Sequence, residues 1–167
     1  MARADELGAQ QAVKFLEEID AINLRARQRI IELVRQYLSN DLECKKVAVL
    51  GAAFKPDSDD VRDSPALDIA AQIQAAGALV TVHDPKAIKN AQIRFPALNF
   101  ESNIDQTLQD SNIVLHLTEW KIYREMDPIR VKSLVKNSII IDGRNALDRD
   151  LWIKAGWKFR ALGRTHA

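Results

Sequence analysis

The sequence predicts an α/β fold: a parallel sheet with helices on both faces, preceded by one long α-helix. Two observations carry that expectation. Apolar, β-branched runs alternate with helical stretches from residue 45 onward, the pattern of a sheet built through crossover connections and covered on both faces. Before them, Val13, Leu16, Ile19, Ile22, Ile30, Val34 and Leu38 recur at spacings of three, four and eight, which is a helical period.

Taken in order, the first helix is expected from residue 4 to about 39. It contains no proline, its only glycine is Gly8, and "LSND" at 38–41 ends it with turn residues. About 36 residues at 1.5 Å each would span about 54 Å, longer than a small domain is wide. The apolar stripe, which also takes in Ile31 and Tyr37, is therefore expected to meet something besides its own domain, as a connector or a dimer helix. Residues 1–43 form this part and 44–167 the sheet domain. "KKVAVLG" is the first strand. The next helix starts at Pro65, with Ser64 as its N-cap, and runs to about Ala76 before Gly77. "ALVTVHDP", "NIVLHLTEW", "NSIIIDGRN" and "GWKFRALG" supply four more strands. Further helices are expected at roughly 103–110, 127–136 and 148–155.

Composition narrows the function. The chain has 167 residues and is 47% apolar, with 24 Lys and Arg against 23 Asp and Glu. That balance lacks the basic face of a nucleic-acid binder. No apolar run approaches the roughly 20 residues of a membrane span, and the amino terminus has no signal-peptide core. A soluble, cytoplasmic protein is expected. Cys44 is the single cysteine, has no histidine near it in sequence, and reads as a bland residue before a strand. His83, His116 and His166 are scattered, so no metal set is expected.

In a doubly wound sheet, ligands bind at the carboxyl ends of the strands. Those ends carry Gly51 to Arg62, His83-Asp84-Pro85, Thr118-Glu119-Trp120 and Asp142-Gly143-Arg144-Asn145. The first turn lacks G-x-G-x-x-G, and Asp84 lies 33 residues past Gly51, well beyond the usual spacing of about 20 for a ribose-binding acid. A standard NAD site is not expected here. Lys55, between Phe54 and Pro56, either directs its ammonium at an anion beside a flat aromatic surface or is a solvated loop lysine. Arg62 sits among Asp57, Asp59, Asp60 and Asp63 and could be their counter-ion. Arg144 offers a fork suited to phosphate or a sugar hydroxyl, or pairs with Asp142 or Asp148. Trp120 stacks on a base or belongs to the core. Arg25, Arg27 and Arg29 read as a solvated helix face.

The stretch "VAVLGAAFKPDSDDVRDSPALDIAAQIQAAGALVTVHDP" resembles the start of the carboxyl-terminal domain of the UDP-glucose/GDP-mannose dehydrogenase family. Its pattern there is G-x-x-F-K-x-x-[ST]-x-D-x-R-x-S-P, met by Gly51, Phe54, Lys55, Ser58, Asp60, Arg62, Ser64 and Pro65. "LTEW" at 117–120 and "IDGRN" at 141–145 are similar to later family motifs, and "IDAIN" with "RIIELV" resembles the family's central helix. The wording is most like the UDP-glucose 6-dehydrogenases. The resemblance implies a Rossmann-like domain that holds a UDP-sugar through Phe54, Lys55 and Arg144. It implies that Arg62 approaches an NAD bound mainly by a separate amino-terminal domain, and that the long helix forms a homodimer. The family oxidises the sugar alcohol twice, through a cysteine in G-G-x-C-x-x-K-D. That motif is not in this chain, and Cys44 does not match it. The expectation is therefore the UDP-binding part of a UDP-glucose 6-dehydrogenase, with no catalytic residue of its own and inactive alone. A GDP-mannose or UDP-N-acetylsugar dehydrogenase of the same family, or a stand-alone nucleotide-binding module, remains open at this point.

Overall fold

The structure, a computed structural model, describes residues 10–163. Residues 4–9 of the expected first helix, and His166, lie outside the described residues. The first helix, α1, runs Gln10–Tyr37 over 28 residues, about 42 Å at 1.5 Å per residue. It stops where Ser39 and Asn40 turn left-handed at φ 56° and 58°. There Asn40 N–H donates to the Arg35 carbonyl and Ser39 N–H to that of Gln36, the paired reversal that closes many helix ends.

The remaining elements are β1 (Lys46–Leu50), α2 (Pro65–Ala75), β2 (Leu79–His83), α3 (Ile88–Arg94), β3 (Asn99–Phe100), α4 (Ile104–Leu108), β4 (Ile113–His116), α5 (Lys121–Arg124), α6 (Pro128–Lys132), β5 (Ile139–Asp142), α7 (Arg149–Lys154) and β6 (Lys158–Ala161). The strands form one parallel sheet in the order β3-β2-β1-β4-β5-β6. Chain order reverses between β1 and β4. Right-handed crossovers then put the connecting helices of the two halves on opposite faces. Packed beside α2, α1 reaches β5.

The five expected strands are all present. The sixth, β3, is two residues long on the sheet edge, too short to show a period. Helices α3 and α5 were not expected either. Each buries a single side chain, Ala91 in one and Tyr123 in the other, so neither carries an apolar stripe. Ser64 caps α2 as expected, its Oγ accepting from Leu67 N–H at 3.4 Å, and Gly77 follows at φ +101°. The helix expected at 127–136 closes at Lys132, and Asp127 caps it.

The long apolar stripe divides in two. Ile30, Ile31, Val34 and Leu38 are buried in the same core as the sheet, together with Leu33. The domain covers the carboxyl half of the stripe, which is too long for it to cover whole. Toward the amino end Phe15 is 67% exposed, Leu16 44%, Ile22 56% and Leu24 58%, so that half carries the unpartnered apolar surface. Among the described residues, no helix is long and apolar enough to cross a membrane.

The turn after β1 depends on Gly51, whose φ is +111°. A Cβ there would lie 2.6 Å from the Thr118 backbone nitrogen and 2.5 Å from its Cβ. Gly51→Ala is therefore expected to cost at least about 2 kcal/mol, from left-handed strain plus a backbone clash. A urea midpoint equal to that of the unaltered chain would contradict this close approach.

Candidate functional site

The carboxyl edge of the sheet is organised around Asp84, which is 2% exposed. Its Oδ2 accepts from Ala52 N–H at 2.8 Å, Ala53 N–H at 3.0 Å and the Trp120 indole N–H at 3.1 Å. Its Oδ1 accepts from Lys86 N–H at 2.9 Å and Ala87 N–H at 2.8 Å. The neighbouring carbonyls are also engaged. Ser64 Oγ donates to the Ala52 carbonyl at 2.6 Å, and Thr118 Oγ1 to that of Ala53 at 2.9 Å. The amides of Ala52 and Ala53 are thus held by the protein's own carboxylate. The turn does not fit an NAD pyrophosphate. Asp84, placed where a ribose-binding acid would stand, points inward instead.

One row of the sheet below this turn is polar. Leu50 is in register with His83 on one side and His116 on the other, and His116 with Asp142. Tyr123 lies edge-on to both imidazoles, with ring centroids 5.6 and 6.0 Å away. Its hydroxyl donates to the His83 carbonyl at 3.0 Å, so the His83 Nδ1–H donates to the Tyr123 oxygen at 2.8 Å. Burial favours the neutral form of both groups, pushing His83 down and the Tyr123 phenol far up.

On the other side of the row, the His116 Nδ1–H donates to Asp142 Oδ1 at 2.8 Å, and both side chains are fully buried. Asp142 also accepts from the amides of Arg144, Ala146 and Leu147 at 3.0, 2.9 and 2.9 Å. It thereby fixes the loop that carries Arg144. Burial by itself would raise the Asp142 carboxyl. The His116 hydrogen bond and the Leu147 and Arg144 amides outweigh it and hold the carboxyl below its ordinary range.

Arg144 does not pair through its side chain with Asp142 or Asp148. Its Nη2 donates to Glu119 Oε1 at 3.0 Å and its Nε to Oε2, a two-point bridge between the ends of β4 and β5. Arg144 and Phe54 line a common open cavity of about 230 Å3. Its floor is Ile30, Ile69 and Leu117, and one wall is α1, through Asn23 and Arg27. Gly143 sits where a Cβ would come within 2.9 Å of both Ile30 Cδ1 and Leu117 Cδ2, so its missing side chain lets α1 lie close to β5.

Phe54 is 51% exposed at the rim. Lys55 is exposed beside it and, among the described residues, forms no hydrogen bond or ion pair; its charge is felt by Asp60. Arg62 stands apart from the cavity and pairs with Asp60 at 2.8 Å. The hydrogen bonds from Arg62 hold the Asp60 carboxyl down to about 2, as expected of a local counter-ion. Trp120 is buried, with Lys86 Nζ 5.8 Å from its ring centre, and belongs to the core. Cys44 is exposed in a left-handed turn at φ 56°. Among the described residues, no group of His, Cys, Asp and Glu could hold a metal.

The solvated face expected of Arg25, Arg27 and Arg29 breaks at Arg27. It turns inward to Asp68 at 3.2 Å, while Arg29 pairs with Glu32. The spacing held a signal for this: Asn23, Arg27 and Ile30 stand at i, i+4 and i+7, one face of a helix. Glu119 carried no comparable signal, because its partner lies 25 residues away.

Residues 48–149 match the family model described as the UDP-glucose/GDP-mannose dehydrogenase family, UDP binding domain. The chain belongs to the UDP-glucose/GDP-mannose dehydrogenase family. It is 32% identical over 152 residues to the UDP-glucose 6-dehydrogenase of Rhizobium meliloti (strain 1021), covering 91% of this chain and 35% of that protein. It is 34% identical over 152 residues to the UDP-glucose 6-dehydrogenase TuaD of Bacillus subtilis (strain 168), covering 90% and 33%. The chain thus spans about a third of the length of these family members. A solved UDP-glucose dehydrogenase from Pyrobaculum islandicum superposes with a TM-score of 0.76 at 25% identity, covering 94% of this chain and 33% of that one.

Asp142 gives the site's framework a pH dependence of defined sign. Its carboxyl titrates lower when folded than the unfolded value of about 3.9. The resulting stability is present above that value and is lost as the pH falls through the folded one. Asp142→Asn is expected to cost about 2 kcal/mol or more at pH 7, and its penalty should shrink below pH 4. Urea midpoints measured at pH 7 and pH 3 check this; a penalty that grows in acid would contradict it.

Proposed function

We propose that these residues are the nucleotide-sugar-binding part of an NAD-dependent UDP-glucose 6-dehydrogenase, which oxidises UDP-glucose in two steps to UDP-glucuronate. The cysteine and the NAD-binding domain belong to polypeptide outside these residues. The observation that carries the reading is the cavity at the carboxyl edge, where Phe54 and Arg144 converge beside a turn closed to dinucleotide phosphates. Its relatives at 32 and 34% identity are UDP-glucose 6-dehydrogenases, which supports that substrate.

In this reading each residue has a separate part. Phe54 offers a flat face at the rim. Lys55 brings an unpaired charge to the ligand. Arg144, held by Glu119, presents its remaining N–H groups in a fixed direction. At about 230 Å3, the cavity is smaller than the roughly 300–1,000 Å3 usual for a small-molecule site. It takes part of the nucleotide sugar, and the rest lies over Phe54 and Lys55. Arg62, away from the cavity, approaches the NAD held by the other domain. The exposed half of α1 forms a two-fold contact with a second copy, pairing the same surface on both chains.

Two measurements test the reading. Lys55→Ala is expected to weaken UDP binding about tenfold to a hundredfold, because a charge-assisted contact is worth about 1.5–3 kcal/mol. Equal affinity in calorimetry would make Lys55 a solvated loop residue. Phe15→Glu with Ile22→Glu changes exposed side chains, so the fold is expected to survive. Light scattering at micromolar concentration should then report a dimer for the unaltered chain and a folded monomer for the variant. A variant that stays dimeric would remove α1 as the interface.

A further inference from the structure

We infer that Arg27, on the long helix, is a second phosphate-binding cation of the cavity that Arg144 also lines. The inference rests on the nucleotide-sugar reading above and adds to it a residue outside the sheet-end motifs.

Three observations meet at this side chain. Arg27 lines the cavity together with Arg144 and Phe54. It is fixed in direction, since Nη1 donates to Asp68 Oδ2 at 3.2 Å and the side chain is only 22% exposed. Its Nε is buried and, among the described residues, has no hydrogen-bond partner. A buried guanidinium N–H without an acceptor is uncommon, because leaving it unpaired forfeits hydration with nothing in return. The Nε atom is closed off in this arrangement, so a ligand oxygen in the cavity is met by the guanidinium N–H groups that Asp68 does not occupy.

The chemistry of that oxygen follows from the rest of the wall. Each of the two guanidinium groups is braced by a carboxylate outside the lining, Arg27 by Asp68 and Arg144 by Glu119. Among the described residues no carboxylate lines the cavity itself, so an anion entering it meets donors and apolar carbon there. A planar guanidinium fork with a free N–H suits a phosphate oxygen. Two such groups lining one cavity suit a diphosphate, with the base lying toward exposed Phe54. Arg27 thus makes α1 part of the ligand site as well as a cover for the sheet.

The test is calorimetry on the 167-residue chain with UDP, UMP and uridine as probes, against Arg27→Gln, Arg27→Lys and Asp68→Asn. Thermal unfolding of each variant verifies the fold. Arg27→Gln should weaken UDP at least tenfold and UMP less, while uridine gives the same signal as with the unaltered chain. Arg27→Lys should recover part of the loss, because a charge returns without the fork. Asp68→Asn breaks the same bridge but keeps the cation, and should hold UDP affinity within about twofold. Equal UDP affinity in Arg27→Gln overturns the inference. So does an equal loss in Asp68→Asn, which would make Arg27 only a brace between α1 and α2. If the unaltered chain binds none of the three probes, the nucleotide-sugar reading itself falls; if it binds UDP and only the Arg27 effect is missing, that reading stands.

Discussion

The carboxyl edge of this sheet depends on one buried carboxylate. Asp84 gathers five N–H groups from the turn after β1, the start of the loop after β2 and the indole that follows β4. A buried charge is tolerable only when such donors replace its water. Here they do so by drawing three strand ends to one point. The arrangement also explains why the loop can lack a glycine cradle. Its amides already have an anion, and it is internal. Recognition of a ligand at this edge falls to side chains.

The row beneath extends the same logic. His83, Tyr123, His116 and Asp142 are polar groups in the core, each hydrogen-bonded to a neighbour, although His116 Nε2 has no partner among the described residues. They hold the ends of β2, β4 and β5 in fixed relation, and through the Arg144, Ala146 and Leu147 amides they set the loop after β5. Arg144 is thereby steered from two sides: its backbone by Asp142, its guanidinium by Glu119. Such bracing limits how far a cation moves before a ligand arrives, and pre-organised contacts lose less entropy on binding.

Much of this was legible in the sequence, and the failures have physical causes. Five strands, the Ser64–Pro65 helix start and the Gly77 stop follow from local pattern. So do Phe54 and Arg144 as carboxyl-edge residues, because position at a strand end depends only on where the strand is. β3, α3 and α5 escaped because each buries too little to impose a period. The partner of Arg144 escaped for another reason: candidates close in the chain, Asp142 and Asp148, stood ahead of Glu119, which only the parallel pairing of β4 and β5 brings near. Asp84 was recognised as a strand-end acid, but its direction is set by amides 31 and 32 residues earlier. Ile30 and Val34 were read with Leu16 and Ile22 as one stripe, since periodicity cannot say where a covering domain stops.

That division of α1 has a mechanical consequence. The helix contains neither glycine nor proline from Gln10 to Tyr37, so no hinge separates its two halves. One half is clamped in the core beneath Gly143, and the other carries Phe15, Leu16, Ile22 and Leu24 exposed. An unbroken helix transmits force as one piece, and Arg27 lies along it between buried Ile30 and the exposed side chains. A torque applied to the amino end would reach the cavity wall directly, tilting one guanidinium against the other without disturbing the sheet.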